Sequence, residues 1–339
     1  MLKSNEEITK AVEDLVIAGG GDPTSFEGDL IAQQIQTSLK LMTEGHNTGQ
    51  LKLITRALKE MRYAYRIFNE YTGGMRISIF GSARTPEDHP DYLAAAHFSR
   101  LMADAGWMCI TGAANGIMKA GLMGQRPEGM FGLSIRLPFE IPTNAFVDGD
   151  PKLISFRYFF TRKLMFMSHS DAVAVFPGGV GTLDELFEML TLMQTGKSNI
   201  IPVVLMEGTA GKYWKSWKEY VDKSLLGNGW ISKEDESLYY LADTVEDGAN
   251  HLKQFYKRFD SYRYVKDQFV IRLKSPLDKS YVEELNIKFS ILVKSGKMIQ
   301  REPFEQEGEE CPGMMRLAFH HTRNNYGALR QLIDAINFP

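Results

Sequence analysis

The sequence predicts a doubly wound parallel α/β sheet, preceded by an N-terminal helical extension and followed by a small C-terminal α+β module. Three observations predict it. Between residues 73 and 258, short and nearly continuous runs of Val, Ile, Met and Phe alternate with helix-length segments, as strands buried on both faces require. Three of those runs end in turns that open onto helices: Gly81-Ser82-Ala83-Arg84, Thr111-Gly112-Ala113-Ala114-Asn115-Gly116 and Pro177-Gly178-Gly179-Val180-Gly181-Thr182. With 339 residues, 44% of them hydrophobic, the chain is long enough for one large domain with extensions.

Taken in order, residues 1–72 read as helices broken at Gly19-Gly20-Gly21-Asp22-Pro23. Helical spacing recurs in Leu30, Ile31, Ile35, Leu39 and Met42, and again in Leu51, Ile54, Leu58, Met61, Tyr65 and Phe68. No strand precedes the triple glycine and an Asp-Pro break follows it, so it reads as a linker rather than a phosphate loop. In the second segment, 73–260, strands are expected at 77–80, 107–110, 131–135, 172–176, 200–205 and 239–241. Helices are expected between them at 92–105, 117–123, 151–168, 182–195 and 213–225, with a last one before residue 258. This is a Rossmann-like sheet. The third segment, 261–339, reads as strand 269–273, helix 279–290, strands 297–303 and 315–320, and helix 326–336. Its acidic stretch 305–310 (E-Q-E-G-E-E) reads as a solvated loop.

Composition narrows the function classes. The formal charge of −3, from 39 basic and 42 acidic residues, gives no global drive towards nucleic acid or an anionic membrane. No basic stripe with interleaved aromatics appears, and no apolar run approaches the roughly 20 residues that span a bilayer. Cys109 and Cys311 match no metal or redox spacing, and with no secretory leader pattern the expectation is a cytoplasmic protein. His169 follows a helix and reads as a capping or core residue. His320 and His321 end a strand on opposite faces, so no metal site is expected.

In an open parallel sheet, ligands bind beyond the carboxyl ends of the strands. Glycine there lets backbone approach an anion, and the free N–H groups of the following helix point at it. Three such turns favour a phosphate ligand, with Gly81, Ser82, Thr111, Gly112 and Gly116 joining the third turn around it. Thr182-Leu183-Asp184-Glu185 also fits a capping box, with Thr182 as cap and Glu185 reaching back. Capping alone does not call for Gly178, Gly179 and Gly181 together. A carboxylate in the first helical turn is expected to stay ionised under the helix dipole, where it stabilises oxocarbenium-like charge and orients a water.

The segment from Pro177 to Glu185 resembles the LOG family, the cytokinin-activating nucleoside 5′-monophosphate phosphoribohydrolases, whose hallmark is P-G-G-x-G-T-x-x-E. Arg162-Lys163 resembles the upstream Arg-Lys of that family, in matching order and spacing. The flanking Phe156-Arg157-Tyr158-Phe159-Phe160, Leu192-Met193-Gln194-Thr195-Gly196, Gly81-Ser82-Ala83-Arg84 and Ile117-Met118 are similar too. The resemblance covers roughly residues 76–260. It implies catalytic roles for Arg162 and Glu185, a phosphate cradle of Gly178, Gly179, Gly181 and Thr182, a binding contribution from Lys163, and a homodimer or larger homo-oligomer contacting near the Arg162 helix. It implies neither redox cofactor nor metal. One departure stands out: the family's T-G-G-G-x-G is Thr111-Gly112-Ala113-Ala114-Asn115-Gly116 here, and two Cβ atoms are expected to disfavour positive φ and alter the site's shape.

Two functions follow from these residues. The first is hydrolysis of the N-glycosidic bond of AMP-like nucleotides, N6-modified ones included, to free base and ribose 5-phosphate. The alternative is a non-catalytic nucleotide sensor or carrier on the same scaffold.

Overall fold

The computed structural model describes residues 5–137 and 146–338. The chain divides into two compact units, residues 1–63 and 64–339.

In the first unit, α1 (Asn5–Ala18) and α2 (Phe26–Lys40) pack through Val12, Val16 and Ala32, with Ile8 and Ile35 against them. Ser25 caps α2 by accepting a hydrogen bond from the Gly28 amide, a standard N-cap. The third helix, α3 (Thr48–Glu70), runs on into the second unit.

The second unit is built on a parallel sheet of β1 (Arg76–Phe80), β2 (Met108–Thr111), β3 (Met130–Ile135), β4 (Leu153–Phe156), β5 (Ala172–Val175), β6 (Val203–Leu205) and β7 (Tyr240–Leu241). The strand order is β4-β3-β2-β1-β5-β6-β7. From β1 the chain winds outward to β4, then returns to β5 on the other side of β1, which pairs in register with it, Phe80 opposite Val175. The β1–β5 seam is therefore the switch point where an open α/β sheet gapes at its carboxyl edge. The helices are α4 (Pro90–Asp104), α5 (Ile117–Met123), α6 (Phe159–His169), α7 (Val180–Gln194), α8 (Tyr213–Tyr220) and α9 (Val245–Phe255). Ile77, Ile79, Cys109, Ala172 and Ala174 pack on Phe98, Met102 and Leu252. The buried Cys109 thiol is pushed up by desolvation and is chemically quiet.

Two expectations from the sequence are corrected here. The single helix expected over 151–168 is a strand followed by a helix. Leu153-Ile154-Ser155-Phe156 alternates in burial and pairs parallel to β3, because an open sheet edge offers those residues a ladder that a helix cannot match. The C-terminal region begins one strand earlier than expected, with β8 (Phe259–Val265). Then come β9 (Gln268–Leu273), α10 (Lys279–Lys288), β10 (Val293–Arg301), β11 (Met315–His321) and α11 (Tyr326–Asn337). These strands form an antiparallel sheet ordered β10-β11-β9-β8.

A third correction concerns the acidic stretch 305–310, which is not a solvated loop throughout. Glu307 is buried and accepts hydrogen bonds from Arg316 Nε at 3.0 Å, Arg272 Nη2 at 3.0 Å and the Phe304 amide at 3.1 Å. Burial alone pushes its carboxyl up, but those donors outweigh burial and hold it below the usual carboxylate range.

The module joins the sheet domain through a close fit. Tyr326, at the start of α11, lies against Gly196 just beyond α7; a Cβ on Gly196 would stand 2.0 Å from the tyrosine ring. The Ile200 amide donates to Tyr262 Oη at 2.8 Å, and Ile200 and Phe255 share one apolar cluster with Phe269, Leu317 and Leu329.

Candidate functional site

The three glycine turns meet at the switch point. The Ser82 amide, just past β1, donates to the Pro177 carbonyl past β5 at 3.0 Å, and the Ile117 amide donates to the Ser82 carbonyl at 3.0 Å. Only glycine fits at 116: its φ is +61°, and a Cβ would lie 2.2 Å from the Ser82 oxygen. Gly81 is a packing glycine, because a Cβ there would meet Ile117 at 2.6 Å. Thr111 is buried, and its hydroxyl accepts the Ala113 amide at 3.2 Å. The Ser82 hydroxyl accepts the Arg84 amide at 3.1 Å.

Ala113 adopts the positive φ that was expected to be disfavoured, +59°. Its methyl is buried against Leu122, Met130 and Val147, so the side chain belongs to the core. The strain of about 1 kcal/mol is close to the roughly 0.8 kcal/mol from burying one methyl. Ala113→Gly is therefore expected to change stability by less than about 1 kcal/mol, as read by urea denaturation.

The third turn differs from the capping-box expectation. α7 starts at Val180 with Gly179 as N-cap, and the Thr182 and Leu183 amides donate to the Gly179 carbonyl. Thr182 is thus inside the first turn, against Gly178, and Glu185 lies in the second. Gly178 is fixed by packing, since a Cβ would lie 2.1 Å from Thr182 Oγ1, and its carbonyl accepts the Tyr213 hydroxyl at 2.7 Å. Gly179 and Gly181 are different: both are exposed, a Cβ on either meets nothing within 4 Å, and neither has positive φ. The folded chain itself does not require glycine at these two positions.

Glu185 is 5% exposed and faces Arg162 from α6, with Arg162 Nη2 at 3.8 Å from its Oε1. The separation is that of an ion pair without a hydrogen bond. Glu185 Oε2 and Arg162 Nε have no hydrogen-bond partner among the described residues. Burial pushes the Glu185 carboxyl up to about 7, and Arg162 and Lys163 only partly offset it. The expectation of a carboxylate held ionised by the helix dipole is corrected accordingly: desolvation wins over the dipole. Burial likewise lowers the Arg162 guanidinium, with Glu185 opposing.

Arg162 is held by two rings, Phe159 from the aromatic run before it at 5.0 Å and Phe166, which sequence reading did not single out, at 5.8 Å from its Cζ. Their spacing, three residues before and four after, places all three on one helix face. A Cβ on Gly112 would come within 3.8 Å of Arg162 Nη1, so the second turn borders the pair. Lys163 points elsewhere, with its ammonium 2.9 Å from Asp184 and 2.6 Å from Glu188 on α7. Burial lowers its pKa, but those carboxylates outweigh burial and raise it. His169, stacked on Phe68 at 3.8 Å, is lowered by burial to about 4 and is a neutral core group.

Val180 at the head of α7 is 87% exposed, and Phe159 is exposed on the Arg162 side of α6, whereas Phe160 and Leu164 are exposed on the opposite side of that helix. Two cavities lie elsewhere. One of about 900 Å³ lies beyond β6 and β7, by Glu207 and Trp214; one of about 1280 Å³ lies between α6, α7 and the module, by Leu164 and Tyr326. Neither is lined by Arg162 or Glu185. Among the described residues no helix is long and apolar enough to cross a membrane.

Comparison with known proteins follows this geometry. A family described as possible lysine decarboxylase matches residues 104–252. The cytokinin riboside 5′-monophosphate phosphoribohydrolase LOG3 of Arabidopsis thaliana is 33% identical over 94 residues, which are 28% of this chain and 42% of that protein. The alignment thus spans less than half the length of this relative. The cytokinin riboside 5′-monophosphate phosphoribohydrolase of Mycobacterium tuberculosis is 26% identical over 181 residues, 52% of this chain and 93% of its own. Among solved structures, the molybdenum cofactor carrier protein of Chlamydomonas reinhardtii superposes with a TM-score of 0.39 at 20% identity, covering 54% of this chain and 98% of its own. Residues 104–252 carry both the family match and the α6 and α7 motifs, and the chain is similar there to a family whose description is possible lysine decarboxylase.

Proposed function

We propose that the chain is a nucleoside 5′-monophosphate phosphoribohydrolase that cleaves AMP-like nucleotides, N6-modified ones included, to free base and ribose 5-phosphate. The observation that carries this reading is the buried Arg162–Glu185 pair at the switch point. Each partner keeps a buried polar atom without a hydrogen bond, a costly arrangement that a bound polar ligand relieves.

The 5′-phosphate sits on the exposed amides of Gly179, Val180 and Gly181 at the head of α7, with the Thr182 hydroxyl beside it. The ribose then lies over Glu185. The bond from C1′ to the base nitrogen breaks with its electron pair going to the base, while a water oxygen adds at C1′. The Glu185 carboxylate takes one proton from that water, and the base is protonated from solvent. Arg162 neutralises charge as the base departs. A carboxyl poised near 7 suits such proton transfer at neutral pH. Lys163, engaged by two carboxylates, enters as the tie between α6 and α7. Its raised pKa also leaves it a poor amine nucleophile, so the Schiff-base chemistry of a decarboxylase has no support from it. The exposed apolar side chains of α6, Phe159, Phe160 and Leu164, support a homodimer that makes its contact along that helix.

Gly181→Ala separates fold from function. Within the first turn of α7 and with open space around the new methyl, it is expected to stabilise the chain by about 0.5–1 kcal/mol. The same methyl on the phosphate cradle is expected to raise KM about tenfold, roughly 1.4 kcal/mol. Thermal unfolding and steady-state kinetics read the two effects separately.

The direct test is chromatographic base release from AMP, GMP, CMP and N6-isopentenyl-AMP, with folded Glu185→Ala and Arg162→Ala chains as controls. Release by the parent chain alone supports hydrolysis. Tight binding without release by any chain replaces hydrolysis with the sensor or carrier reading.

A further inference from the structure

The first unit leaves apolar surface uncovered that the catalytic reading does not use. α3 carries Leu51, Ile54 and Leu58 in steps of three and four, continued by Met61, so that they share one side of the helix. They are 36%, 40% and 46% exposed. Around the helix from this stripe stand Arg62, then Lys52 and Lys59, all exposed. The opposite character appears on α1. There Glu6, Glu13 and Asp14 share a face with Ile17, which is 58% exposed, and Lys10 is the basic residue among them. None of Lys52, Lys59, Arg62, Glu6, Glu13 or Asp14 forms an ion pair among the described residues. The α1–α2 core consists of Val12, Val16 and Ala32, little for a helical unit of this length.

We infer that this N-terminal unit is a self-association surface, in which the basic-rimmed stripe of α3 receives the acidic face of α1 from a second copy of the chain. The occupant follows from complementarity. Two α3 stripes laid together set Lys52, Lys59 and Arg62 near their own copies, whereas α1 brings Ile17 to the stripe and carboxylates to its rim. A two-fold axis then makes the contact twice, α3 on α1 and α1 on α3, as an isologous interface requires. The doubling moves a pair of short helix faces towards the roughly 800 Å² per partner of a stable interface. This surface uses none of the candidate-site residues, and the proposal stands whether or not the chain is a hydrolase.

The test is a charge exchange in the full chain, followed by sedimentation velocity across a dilution series. One variant carries Lys52→Glu, Lys59→Glu and Arg62→Glu; a second carries Glu6→Lys, Glu13→Lys and Asp14→Lys; a third carries all six. All these positions are exposed, and circular dichroism checks that helicity is kept. Each triple variant is expected to halve the mass of the assembly at concentrations where the parent chain is fully associated, with the dissociation constant raised at least about tenfold. The six-fold variant is expected to restore the parent mass. Triple variants with unchanged mass overturn the proposal, including the case where α3 folds onto α1 of its own chain. Failure of the six-fold variant to recover assembly overturns it as well, since the α3–α1 pairing would then be wrong.

Discussion

Glu185→Gln is expected to lower base release about 10³-fold while raising the melting temperature at pH 8. The rate loss follows from removing both the proton acceptor and the charge beneath the ribose. The stability gain follows from burial. Between the ordinary carboxyl value of 4.5 and about 7, the folded chain holds a proton that the unfolded chain releases. Stability therefore falls as pH rises through that window. At pH 8 the parent chain carries a buried carboxylate whose desolvation outweighs the attraction of Arg162, and glutamine carries no charge there. A gain of about 1–2 kcal/mol remains after allowing for the counter-ion that Arg162 loses, or roughly 2–6 °C. Below pH 4.5 the gain vanishes, because both chains are neutral at 185. The parent's kcat is expected to fall with one proton below about pH 7, when Glu185 is protonated. Differential scanning calorimetry at pH 8 and 4, beside a pH–rate profile, checks the pair of effects. A glutamine variant less stable than the parent at pH 8 would show that Arg162, not burial, controls this carboxyl.

Glu307→Ala carries the largest expected loss of stability. Arg316 and Glu307 have no exposed side-chain surface, and Arg272 shares the same carboxylate. Deleting the carboxylate leaves the fully buried Arg316 guanidinium without a counter-charge, while Arg272 keeps Glu310. Breaking a buried pair in this way costs about 3–5 kcal/mol. Replacing the pair together, as Glu307→Met with Arg316→Leu, is expected to recover much of that loss, because an apolar pair needs no desolvation. Thermal melts of both variants decide the matter. Equal losses in the two would mean that the network acts by packing rather than by charge.

The particular residues show what a linear reading reaches. β1, β2, β3, β5 and β6 were legible because strands buried on both faces carry unbroken apolar runs, and their turns announced themselves in glycine. β4 was hidden because Leu153-Ile154-Ser155-Phe156 leads directly into the aromatic start of α6, and helical spacing read across the junction. β8 was hidden because Phe259-Asp260-Ser261-Tyr262-Arg263-Tyr264-Val265 follows a helix with polar residues interspersed; β9 and β11 supply the sheet that makes it a strand. Glu307 looked solvated because its partners, Arg272 and Arg316, lie 35 and 9 residues away. At the candidate site, the motifs named the side chains correctly as neighbours of one another, Arg162 and Glu185 among them. They did not reveal the protonation of Glu185, since that depends on how deeply α6 and α7 bury it. The Gly179 cap, three residues before the Thr182 cap expected for α7, is likewise a product of the turn's tertiary setting.

The seat of Tyr326 against Gly196 has a bearing on how such chains diversify. A tail held to the sheet domain only by a tether can be lost, traded or grafted by recombination with little harm to its host. Here the final eighty or so residues interlock with the exit of the helix that bears Glu185, and Ile200 and Phe255 rely on them for cover. Excising the tail would bare that apolar ground and invite aggregation, so insertions and exchanges are expected to be tolerated at the exposed turns of the module and not at its junction.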